Sequence, residues 1–152
     1  MLSVSTALES LLGCLAEDFP PSPGTRIFDI PFPLNDAFDP LAWLGVQRCY
    51  PQFYWQQRSG DEELAALGSL AHFDSLASAS RFLHTHDVAN DTRICGLNAF
   101  NPAQGTLFLP RLLWRRSGGV ATLRLQLWSE TSLCDDAGDA LKFIDNLRDA
   151  AP

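Results

Sequence analysis

Apolar residues recur at helical spacing near the start of the chain. Val4, Leu8, Leu11, Leu12 and Leu15 form one stripe and predict an amphipathic helix. Thr6 and Glu9 have capping-box spacing, with Ser3 and Ser5 as alternative caps. Pro20, Pro21, Pro23 and Gly24 are the stop signals for this helix. Thr25 to Phe32, where Ile27 alternates with Phe28 and Ile30, reads as a short strand. Asp39-Pro40 then offers an N-cap followed by proline at the first helical position, predicting a short helix through Leu41, Trp43 and Leu44 that closes before Pro51.

The pattern is densest from Phe53 to Phe73. In Phe53-Tyr54-Trp55-Gln56-Gln57-Arg58 the odd and even positions fall on opposite faces of a strand, and Ser59-Gly60-Asp61 supplies a turn. Burying one such ring is worth roughly 1.5–3 kcal/mol, so this aromatic hairpin is expected to nucleate the core, with Trp55 inside it. Beyond the turn two readings compete. Glu62 to Leu67 contains strong helix formers with leucines every third residue, whereas the tight turn, Gly68 and Ser69 weaken a helix.

Further on, Asp74 or Ser75 caps a helix carrying Leu76, Ala79 and Leu83 that fades at His84-Thr85-His86. Arg93 to Phe100 reads as a strand, followed by the turn cluster Asn101 to Gly105. Thr106 to Arg116 and Val120 to Trp128 form the clearest hairpin, joined around Ser117-Gly118-Gly119. Leu123, Leu125 and Leu127 alternate with Arg124 and Gln126, which predicts one core face and one wet face. Pro110 has no N–H for a ladder and belongs at an edge or a bulge. The last helix carries Ala137, Ala140, Leu141, Ile144 and Leu147 in one stripe, with Asp135 and Asp136 at its positive end and Arg148 at its negative end. The elements together predict an α+β domain, an antiparallel sheet with flanking helices, without repeat or linker.

Composition narrows the function classes. The chain has 152 residues, the size of one domain, and is 46% hydrophobic. Its net charge of −7 argues against nucleic acid as a partner. No apolar run is long enough to span a membrane. Cys14, Cys49, Cys95 and Cys134 lack the close spacing of a zinc or redox pair and read as buried free thiols in a cytoplasmic protein. Leu11-Leu12-Gly13-Cys14 resembles a lipoprotein cleavage box, but no basic residue precedes Arg26 and Glu9 interrupts the apolar run.

Candidate chemistry is sparse. His84 and His86, two apart on a helix, face different ways and have no acid or thiol at ligand spacing. Asp61-Glu62-Glu63 and Asp135-Asp136 could attract a cation, but a charged hairpin tip and a helix start explain them. Cys95 sits on a strand between Ile94 and Gly96, with no basic residue adjacent in sequence, as a structural thiol does. There is no G-x-S-x-G elbow, and Ser117-Gly118-Gly119 is too short for a phosphate loop. Lys142 is the sole lysine and lies on the polar side of the last helix.

Three stretches carry a resemblance. The run Phe53 to Glu63, with Leu67-Gly68-Ser69 after it, is similar to the aromatic hairpin of chorismate-utilising enzymes, the family of anthranilate, aminodeoxychorismate, salicylate and isochorismate synthases. Arg93 to Phe100 resembles that family's glycine-then-phenylalanine strand, and Leu107-Phe108-Leu109-Pro110-Arg111-Leu112 its F-x-L-P-R segment. Asp29 to Leu34, Tyr50-Pro51-Gln52 and Gly96 to Phe100 are most similar to the menaquinone-specific isochorismate synthases within it.

The resemblance implies the N-terminal part of an anthranilate synthase component I-like fold, and it favours a strand over Glu62 to Phe73. It also implies that residues 1–152 are one N-terminal portion, with the chorismate-binding catalytic domain outside it. In the whole enzyme a lysine-activated water would attack chorismate with Mg²⁺ on its carboxylate. None of that family's base, acid or metal motifs is present here. No residue of this chain is therefore assigned a catalytic, cofactor-binding or metal role, and this portion alone is expected to bind no Mg²⁺ and to be inactive. The expected partner is the chorismate-binding domain. The alternative is a free-standing ligand-binding or dimerisation module with the same fold. Self-association as a homodimer is expected through sheet edges near Val120 to Trp128 and Pro110, or through an exposed apolar face.

Overall fold

The computed structural model describes residues 4–32, 38–85, 94–98 and 105–147. In chain order the elements are α1 (Val4–Cys14), β1 (Gly24–Phe32), α2 (Pro40–Gly45), β2 (Gln52–Gln56), β3 (Glu62–Phe73), α3 (Leu76–Thr85), β4 (Cys95–Asn98), β5 (Gly105–Ser117), β6 (Val120–Ser129) and α4 (Leu133–Asp145). The strands make one sheet in the order β1-β6-β5-β3-β2, with β4 also pairing β5. Every pairing is antiparallel, as the α+β reading requires.

Cross-strand registers define the two faces. Ile30, Leu123, Trp114, Ala65 and Tyr54 stand in one row, and Phe28, Leu125, Leu112, Leu67 and Gln52 in the next. Onto these rows pack Ala7, Leu8 and Leu11 of α1, Trp43 and Leu44 of α2, and Leu133, Ala137, Ala140 and Ile144 of α4. The opposite face carries Asp29, Arg124, Leu113, Ala66 and Phe53, then Pro31, Thr122, Arg115, Leu64 and Trp55. At its centre Leu64, Ala66 and Leu113 cluster with Cys95 and Phe108, without any helix residue. Ala79 and Phe82 of α3 pack on Phe73, Leu107 and Leu109.

Several local expectations hold for the reasons given. Asp39 caps α2 through Oδ1, which accepts from the N–H groups of Leu41 and Ala42 at 3.0 and 3.2 Å. Of the two candidate caps for α3, Ser75 serves: its Oγ accepts from Ser78 N at 3.2 Å, and Ser78 Oγ accepts from Ser75 N at 3.3 Å. Gly118, at φ +59°, opens the two-residue turn between β5 and β6. Glu62 to Phe73 is a strand. Leu64 to Leu67 are buried on both faces between β2 and β5, which hides the alternation a half-wet strand would show.

Other expectations are corrected. The aromatic run is a terminal strand of the sheet, and Trp55 is 40% exposed, so the hairpin does not nucleate the core. The centre is instead β5, β6 and β3 beneath α1, α2 and α4. The arm Val120 to Trp128 is interior, paired with β1 and β5, and offers no free edge. Gln126 is buried, not wet. α1 already runs from Val4, so Ser5 and Thr6 lie inside it and do not cap it, and it ends at Cys14, ahead of the prolines. Pro110 sits in an interior strand, opposite Ser69 where the β3 register shifts, so its bulge alternative holds. Gly68, at φ +73°, lies in the same irregularity; a Cβ there would meet Phe143 at 2.8 Å and Arg111 Cβ at 3.2 Å. Ser3, Leu34, His86, Arg93, Phe100, the turn cluster 101–104 and Arg148 lie outside the described residues.

Candidate functional site

The residue types that could carry chemistry are dispersed and mutually engaged. Asp61 Oδ2 accepts from Ser59 Oγ at 2.9 Å. Glu62 pairs with Arg115 at 3.5 Å, and Glu63 with Arg116 at 3.2 Å. The three carboxylates at this hairpin tip therefore do not converge. Arg116 also donates to Gly60 O at 2.9 Å, and Gly118 N donates to Asp61 O at 2.9 Å, which ties the two hairpin tips together.

Tyr54 completes this cluster, donating its hydroxyl to Glu63 Oε2. Loss of solvent, then the hydrogen bond and the negative charge of Glu63, push the Tyr54 phenol up to about 12. The folded state thus favours the neutral phenol. Its contribution to stability is complete below the ordinary tyrosine value of about 10 and is lost as pH rises towards 12. Glu63→Gln should bring the Tyr54 titration, read by tyrosinate absorbance, back towards its ordinary value. An unchanged curve would show that Glu63 has no part in the shift.

The sequence candidates fare as follows. His84 is exposed in the last turn of α3. Lys142 is exposed on α4. Cys95 is buried among Leu64, Ala66, Phe108 and Leu113, the setting of a structural thiol. Burial pushes the Cys49 thiol up, against a smaller lowering by a backbone hydrogen bond, which disfavours the reactive thiolate. All four cysteines are free, but only Cys95 is buried; Cys14 and Cys49 are half-buried and Cys134 is exposed, which corrects the expectation of buried thiols. Leu11 of the cleavage-box look-alike is a core residue of α1. Among the described residues no group of three or more His, Cys, Asp or Glu side chains could hold a metal ion.

Asp135 and Asp136 separate sharply, which the sequence did not indicate. Asp135 is exposed behind the Ser132 cap, whereas Asp136 is buried. Arg111 of the F-x-L-P-R segment grips Asp136 with two hydrogen bonds of 2.8 and 2.7 Å. Arg111 also donates to Gln126 O at 3.1 Å, Gln126 Nε2 donates to Pro110 O at 2.7 Å, and Trp128 N donates to Asp136 Oδ2 at 3.0 Å.

This joint has a structural cause. β5 and β6 pair from Ser117↔Val120 only as far as Leu112↔Leu125. Beyond that point proline supplies no donor, so main-chain groups at Pro110, Gln126 and Trp128 would be buried without partners. The side chains of Arg111, Gln126 and Asp136 take over the missing ladder and bind α4 to the sheet. Arg111, Gln126 and Asp136 are thereby engaged with one another and with the main chain. A shallow open pocket of ≈ 420 Å³ lies nearby, lined by Pro23, Gly24, Thr25, Trp128, Ser129 and Glu130. It presents one carboxylate, Glu130, beside the hydroxyl residues Thr25 and Ser129, with no second acid or base among its lining residues.

Comparison with known proteins places the fold. No protein-family model matches the chain. It is 58% identical over 152 residues to isochorismate synthase MenF of Escherichia coli (strain K12), covering all of this chain and 35% of that protein. It is 33% identical over 89 residues to MenF of Pasteurella multocida (strain Pm70), covering 59% of this chain and 20% of that protein. MenF of Haemophilus influenzae is 32% identical over 112 residues, covering 74% and 25%. The solved structure of the menaquinone-specific isochorismate synthase MenF from Escherichia coli superposes with a TM-score of 0.96 at 58% identity, over 99% of this chain and 35% of that one. The chain thus spans about a third or less of the length of these relatives, and it matches their N-terminal portion.

Proposed function

We propose that this chain, the counterpart in sequence and fold of the N-terminal portion of isochorismate synthase MenF, is the framework portion of such an enzyme. It would supply a sheet and its helices against which a chorismate-binding portion packs, and that portion would convert chorismate to isochorismate for menaquinone synthesis. The observation that carries this reading is the match over the whole chain in both sequence and fold. The F-x-L-P-R segment adds support, because its arginine is spent inside the fold on Asp136 and not on a ligand.

Magnesium is the ion the family implies. The residues described here do not fit it: the acidic runs at Asp61 and Asp135 are dispersed or paired with arginine, and no ligand group assembles. The ion would belong to the chorismate-binding portion. The free thiols support a reducing, cytoplasmic setting. No helix among the described residues is long and apolar enough to cross a membrane. The acidic balance of −7 supports a partner other than nucleic acid.

Purified 152-residue chain, given chorismate and Mg²⁺, should form no isochorismate. Mixed with a polypeptide corresponding to the remainder of Escherichia coli MenF, it should restore turnover and elute with it as one complex. Turnover by the chain alone would overturn the framework reading, and so would failure of the two parts to associate.

A further inference from the structure

We draw no further inference here: the strongest candidate, the outer edge of β2 with the exposed ring of Trp55, carries nothing because nothing in the structure shows what covers it.

Discussion

Trp43→Ala is expected to lower the stability of the chain by about 3–5 kcal/mol, the range for deleting a large aromatic from a packed interior. Trp43 is 1% exposed, its ring lies 6.0 Å from Phe38, and Phe38 in turn lies 5.2 Å from Trp114. The indole Nε1 of Trp43 has no hydrogen-bond acceptor, so the side chain acts through packing and surface burial alone. Trp55→Ala, by contrast, should stay within about 1 kcal/mol, because the ring is 40% exposed on a terminal strand. Urea unfolding of both variants decides the matter. Equal midpoints would mean that the interior is not centred on β5, β6 and β3.

That contrast marks what the sequence carries and what it does not. Capping and periodicity are local, so Asp39 before α2, the leucines of β6 and the apolar stripe of α4, except for the exposed Leu141, are legible from neighbouring residues. Strand order is not local. The three aromatics of β2 have the composition of a central strand, and only the order β1-β6-β5-β3-β2 shows that nothing described lies beyond them. The ambiguity over Glu62 to Leu67 has the same origin. Alanine and leucine favour a helix by propensity, and pairing on both sides with β2 and β5 overrides it. Gln126 looked wet because it alternates with leucines. It is buried because the strands part at Pro110 and leave a carbonyl that needs a donor. No active-site signal is legible in the sequence. The chorismate-enzyme resemblance lay in contiguous motifs, so it could be read directly.

Asp136→Ala should prove as damaging as the loss of Trp43, about 3–5 kcal/mol, since it leaves the Arg111 guanidinium buried without its counter-charge. The side chains of Arg111 and Asp136 are 10% and 11% exposed, so water cannot readily replace the lost partner. Arg111→Met should cost a similar amount by stranding the carboxylate. The double variant separates the pair's own contribution from the cost of breaking it. Replacing a buried ion pair by apolar groups is often close to neutral, so Arg111→Met with Asp136→Leu should cost less than the two single substitutions together. Part of the cost should remain even so, because Trp128 N and Gln126 O lose the partners that stood in for the strand ladder. A double-mutant cycle on urea midpoints measures the difference. Strict additivity would mean that Arg111 and Asp136 act separately and that α4 is bound to the sheet by its apolar stripe alone.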